Sequence, residues 1–181
     1  LDYLVRAGDG DVALARYEAA DNMTDRLAAI TAIVAADLPQ ARGVLADFHD
    51  RFAGDPLVID KWLMVQATAP VAEALDRVEA LTRHPAFSIN NPNRVRALIT
   101  TFATGNQTQF NRADGAGFAF VAEKVLTLDR INPQVAARLL SAFRSWRALE
   151  PRRRAYAEAE LKRVATTAGL IAWMLVGATP L

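Results

Sequence analysis

Asn91-Pro92-Asn93-Arg94-Val95-Arg96-Ala97-Leu98-Ile99-Thr100-Thr101-Phe102 shows in one short run how most of the chain is organised. Asn91 can accept an orphan backbone N–H through its side-chain oxygen, and Pro92 needs no N–H and already has helical φ, so a helix opens here. Val95, Leu98, Ile99 and Phe102 then fall at i, i+3, i+4 and i+7, a single apolar stripe.

The same pattern recurs on both sides. Asp55-Pro56 and Asn132-Pro133 repeat the opening signal, and Pro39, Pro70 and Pro151 repeat it with poorer caps. Stripes run through Leu27, Ile30 and Val34, through Val121, Val125 and Leu128, and through Val135, Leu139, Phe143 and Trp146. Gly54 and Gly105 fall where a helix would end in the left-handed conformation that glycine tolerates. Helices are therefore expected over roughly 11–20, 24–36, 39–53, 56–69, 71–83, 92–104, 116–130, 133–148 and 151–166.

No stretch alternates apolar and polar residues with β-branched enrichment between turn signals, so the expected class is all-α. Short links between helices of this length favour antiparallel neighbours, hence stacked helical hairpins forming a curved, HEAT- or armadillo-like superhelix. Asn91-Pro92 and Asn132-Pro133 lie 41 residues apart, near that period, although two copies alone do not establish a repeat family. Two longer loops, 84–93 and 105–117, are rich in Asn, Gly, Pro and Thr.

The composition narrows the functional classes. With 52% apolar and 23% charged residues the 181-residue chain is neither disordered nor, lacking Cys, a disulfide scaffold. Absence of Cys allows a reducing, cytoplasmic setting and removes thiol nucleophiles and Cys-ligated zinc. The formal charge of +1 hides an asymmetry: residues 1–90 carry 8 Lys and Arg against 14 Asp and Glu, and residues 91–181 carry 13 against 6. If either half faces an anion, it is the second.

Complete catalytic motifs are missing. His49 and His84 do not form the His-Glu-x-x-His pair of a zinc hydrolase, and neither has an adjacent Glu. His49 reads as a partly exposed helix residue and His84-Pro85 as a helix terminator. Ser88, Ser141 and Ser145 lie in no Gly-x-Ser-x-Gly elbow, and no phosphate-cradling glycine loop occurs.

Arginine carries the remaining signal. Arg94 and Arg96 follow one helix start and Arg138 lies one turn into another, so guanidinium charge adds to the positive end of a helix dipole. A guanidinium clamps a carboxylate with two parallel hydrogen bonds, which makes a peptide or amino-acid carboxylate the natural guest. The competing reading makes these arginines solvated, or ion-paired to the acidic first half. A second cluster, Arg144, Arg147, Arg152, Arg153, Arg154, Lys162 and Arg163, is interleaved with Glu150, Glu158 and Glu160, the pattern of a solvent-facing helix and not of a nucleic-acid stripe.

The last eighteen residues, Val164–Leu181, carry no charge. Gly169, Gly177 and Pro180 leave a usable apolar run well short of the ~20 residues a membrane helix needs, so a span is not expected. Leu1–Arg6 has neither the basic start nor the apolar run of a signal peptide.

Several segments together resemble the C-terminal helical domain of bacterial alanyl aminopeptidase N, a gluzincin zinc metalloaminopeptidase. They are Tyr17–Asp25, Leu57-Val58-Ile59-Asp60-Lys61-Trp62, Gln66-Ala67-Thr68, Asn91–Arg96 and Asn132–Arg138, in the family's order and covering about residues 1–166. The resemblance implies a larger parent whose separate catalytic domain holds Zn2+, with this domain closing the substrate chamber, and no catalytic or metal-binding residue here. It also implies that Arg96 and Arg138 face that chamber with Gln134 near them, positioning peptides whose N-terminal residue is removed. The partners implied are the catalytic domain of the parent and peptide substrates, not nucleic acid. Residues 1–169 are expected to be the C-terminal part of that helical domain, inactive alone, and 170–181 an atypical apolar tail. The alternative is an autonomous helical-repeat module that binds peptide or protein.

Overall fold

The computed structural model describes residue 5 and residues 10–167, and among these every regular element is helical. In order they are α1 (Gly10–Ala19), α2 (Met23–Ala35), α3 (Ala41–Phe52), α4 (Pro56–Thr68), α5 (Ala74–Leu81), α6 (92–105), α7 (Gln107–Phe110), α8 (Ala116–Asp129), α9 (Pro133–Leu140), a 3-10 segment (Ser141–Ala148) and α10 (Pro151–Thr167). The apolar tail expected over 170–181 lies outside the described residues.

The expected caps form. Asp55 accepts from the N–H groups of Leu57 and Val58, Asn91 from Asn93 and Arg94, and Asn132 from Val135, each before a proline in the first turn. Asn22 caps α2 through the Asp25 N–H at 2.9 Å, and its amide reaches back to the Asp25 carboxylate.

Four expectations need correction. Pro39 and Pro70 do not open helices: α3 starts at Ala41 and α5 at Ala74, neither with a side-chain cap to hold an earlier turn. The helix expected over 133–148 leaves α-geometry at Ser141. Loop 105–117 contains α7, one turn held by the Asn106 side chain. Gly54 and Gly105 do not adopt positive φ; the left-handed positions among the described residues are Gly115 and Asp37. At Gly105 the need is proximity, because a Cβ there would lie 3.1 Å from Thr68 Cγ2.

Asp37 ends α2 in a Schellman motif, with the Leu38 N–H donating to Ile33 O and the Asp37 N–H to Val34 O. Gly115, at φ 79°, lies beneath the Tyr156 ring, and a Cβ on Gly117 would meet the carbonyl oxygens of Gln109 and Phe110 at 2.4 Å. Both glycines admit backbone where a side chain would not fit.

A single continuous apolar core runs through the stack. Ile30, Ile33 and Val34 of α2, Phe48 of α3, Leu63 of α4, Leu98, Ile99 and Phe102 of α6 and Val125 of α8 are fully enclosed. Each such side chain contributes about 1.5–3 kcal/mol of transfer free energy. Phe143 of the 3-10 segment meets Phe110 and Phe118, the three rings having centroids 5.1–5.8 Å apart.

Polar clamps fix the relation between layers. Arg94, near the start of α6, reaches Pro56 O and Asp60 near the start of α4, and Asn106, past the end of α6, donates to Ala67 O and Ala69 O at the end of α4. These contacts make α4 and α6 parallel, with α5 returning between them in the chain, as stacked hairpins require.

Candidate functional site

The segments that carried the sequence signal separate into structural and available residues. Arg94 is structural. Its Nη1 donates to Pro56 O at 2.8 Å and forms a short ion pair with Asp60, and the two side chains are only 13% and 15% exposed. This is the ion pair to the acidic first half that the competing reading anticipated. Trp62 and Gln66 are structural too: the Trp62 indole N–H donates to Leu45 O at 2.9 Å, and the buried Gln66 amide donates to Trp62 O at 3.1 Å.

Arg96, two residues after Arg94, is exposed, and its Nη2 donates to Asn93 Oδ1 at 3.1 Å. It opens a π-helical turn, Arg96–Thr100, in which the Thr101 N–H reaches back to Arg96 O. The Thr101 hydroxyl donates to the same carbonyl at 3.0 Å. Such single π-turns inside helices occur frequently at functional positions. No apolar-periodicity signal marks this one in the sequence.

Gln134 and Arg138 stand one turn apart on α9 and are exposed. Among the described residues neither side chain has a hydrogen-bond or ion-pair partner, and none joins Arg96 to either of them. Arg138 and Gln134 thus share a face, while Arg96 rises from a different helix. The three available side chains comprise two guanidinium groups and one amide, able to donate to carboxylate or carbonyl oxygens and unable by themselves to cleave a bond.

The second basic cluster is partly self-paired. Lys162 bonds Glu158 at 2.8 Å, Arg163 bonds Glu160 at 2.8 Å and Glu123 at 3.4 Å, and Arg153 bonds Glu150 at 3.4 Å. Hydrogen bonding to Lys162 holds the Glu158 carboxyl below its ordinary range, and the N–H groups of Arg153 and Arg152 do the same for Glu150. Arg147 stacks over Trp146, 4.7 Å from the ring centroid.

The two histidines, 35 residues apart in sequence, meet in space with ring centroids 5.2 Å apart. Among the described residues no group of three or more His, Asp or Glu side chains converges to hold a metal ion. Two imidazoles fall short of the three protein ligands a catalytic zinc takes. Nor, among these residues, is any helix long and apolar enough to cross a membrane.

Residues 1–172 match the family model DUF3458_C, described as ARM repeats. The chain is 42% identical over 151 residues to aminopeptidase N of Caulobacter vibrioides, covering 83% of this chain and 18% of that one. It is 43% identical over 125 residues to aminopeptidase N of Escherichia coli, covering 69% and 14%. Among solved structures, Legionella pneumophila aminopeptidase A in complex with aspartic acid superposes with a TM-score of 0.84 at 30% identity, over 88% of this chain and 19% of that chain. The chain thus spans less than a fifth of the length of each of these relatives.

Proposed function

The chain belongs to the DUF3458_C family of ARM repeats, the helical C-terminal domain of aminopeptidase N, and on that premise we propose that it closes the substrate chamber of a zinc aminopeptidase and orients peptides there. Zinc and the hydrolytic chemistry belong, in this reading, to the parent's catalytic domain. The contribution of this chain is, in that reading, binding and orientation. Its partners are that catalytic domain and peptide substrates, in a cytoplasmic setting in keeping with a chain that has no Cys.

One contrast carries the reading. Within two helix-start motifs the fold commits Arg94 to Asp60 but, among the described residues, leaves Arg138 and Gln134 without partners and Arg96 held by an exposed amide oxygen alone. Cations kept at the surface of two helices can each donate to the carbonyls or the terminal carboxylate of an extended peptide.

The test uses the full-length parent. Arg138→Ala should raise KM about tenfold for a tetrapeptide, the effect of losing one charge-assisted hydrogen bond. It should change KM by less than about twofold for a single-residue anilide, which has no extended leaving side. Equal effects on the two substrates would remove Arg138 from the peptide's path.

A further inference from the structure

A cleft of about 780 Å³ opens between the α2–α3 turn, one face of α3, the middle of α4, Arg77 of α5 and His84 just past the end of α5. None of its walls comes from α6 or α9. One wall is aromatic: Trp62 packs against His49 and His84 at centroid distances of 4.9 and 5.2 Å, and the two imidazoles meet edge to face. The indole N–H is already given to Leu45 O, and His84 Nδ1 already accepts the Ala86 N–H at 3.1 Å. What this wall offers a guest is largely ring surface.

Two of the other lining side chains are cationic, Arg42 on the same helix as His49 and Arg77 on α5. Arg77 Nη1 is buried and has no hydrogen-bond partner among the described residues, while Nη2 stays 3.7 Å from Asp37 Oδ1. A guanidinium N–H closed off without an acceptor is uncommon, and what the cleft can offer a guest is the 26% of this side chain that stays exposed. Arg42, a second lining residue, is exposed and has no partner among the described residues. Asp37 and Asp50 complete the charged lining. Burial, then the neighbouring His49, pushes His84 below its usual range, favouring the neutral ring. Two guanidinium groups against two carboxylates leave the charged lining balanced, so an anion is held there only by reaching a guanidinium directly.

We propose that this cleft binds the carboxylate of a ligand that also carries an apolar or aromatic body, with Arg77 and Arg42 taking the carboxylate and the Trp62–His84 wall taking the body. A free organic acid and the C-terminus of a peptide share this chemistry. The site is independent of the chamber-facing arginines, and its test distinguishes the two readings.

The experiment is calorimetric titration of the 181-residue chain with four probes: N-acetyl-phenylalanine, its primary amide, acetyl-Ala-Ala-Phe and inorganic phosphate. At least one of the two acids should bind saturably at one per chain, the free acid more tightly if the site takes small acids and the tripeptide more tightly if it takes peptide ends. The amide should bind about tenfold more weakly, and phosphate should not compete. Arg42→Ala, at an exposed position, should weaken binding about tenfold, and Arg77→Met at least as much, while Arg154→Ala, exposed on α10 and outside the cleft, leaves it unchanged. Ring-proton resonances of His49 and His84 should shift on saturation. The proposal is overturned if neither acid binds, if acid and amide bind alike, if phosphate competes as well as the acids, or if Arg42→Ala has no effect in a chain that melts like the wild type.

Discussion

Asn106 should be among the most sensitive polar positions in the chain. Its side chain is 2% exposed and makes four contacts: Nδ2 donates to Ala67 O at 3.1 Å and to Ala69 O at 2.7 Å, and Oδ1 accepts from the Gln109 N–H and the Thr108 hydroxyl. Truncation in Asn106→Ala strips two carbonyls of their donor, at about 1–1.5 kcal/mol each. It also removes the cap of α7, at about 1 kcal/mol. The sum, roughly 3–4 kcal/mol, corresponds to a fall in Tm of about 10 °C for a chain of this length. Asn106→Asp separates the two roles, since a carboxylate can still cap α7 but presents negative oxygen to two carbonyls, so at neutral pH it should destabilise at least as much as alanine. Thermal melting followed by circular dichroism, with urea midpoints as a second measure, reads both variants. An alanine variant melting within about 2 °C of wild type, or an aspartate variant as stable as wild type, would refute the assignment of that energy to the two α4 carbonyls.

Two further outcomes are expected. Arg94→Met leaves Asp60 mostly buried without its cation and should cost about 2–3 kcal/mol in a urea titration, whereas Arg94→Met with Asp60→Leu should recover most of it, because the pair's desolvation disappears with both charges. His84 takes up a proton less readily in the folded chain, through burial first and His49 second, so the unfolded chain protonates first. The stability linked to it is present above pH 6.5 and lost as pH falls through the lower folded value. His84→Asn should flatten the fall in urea midpoint over that window, and an unchanged slope would show that His84 does not produce it.

What could be read from the sequence depended on whether the cause was local. Asp55, Asn91 and Asn132 cap helices with their own side chains, so their prolines marked real starts, whereas Pro39 and Pro70 lacked such an oxygen and marked none. The 3-10 stretch over Ser141–Ala148 was illegible, since the Phe143 and Trp146 positions suit an α-helix equally well. Gly115 and Gly117 gave no sign of their purpose, because each is dictated by an atom distant in the chain or across a turn: the Tyr156 ring and the carbonyls of α7. The candidate site divided in the same way. Arg94 and Arg96 look alike in sequence, and only the position of Asp60 on a parallel helix shows that one is bound and the other available. The meeting of His49, Trp62 and His84 was equally out of reach, as it depends on how α3, α4 and the end of α5 converge.

The widened turn at 96–100 lies between the two places where α6 is fastened to α4. A π-turn accommodates one residue more than an α-turn at little change in length. An ancestral single-residue insertion there could therefore be absorbed without releasing either fastening, altering only the azimuth at which the flanking side chains leave the rod. In such a scaffold the direction of a surface cation is adjustable by chain length alone, while the spacing of the layers beneath stays constant.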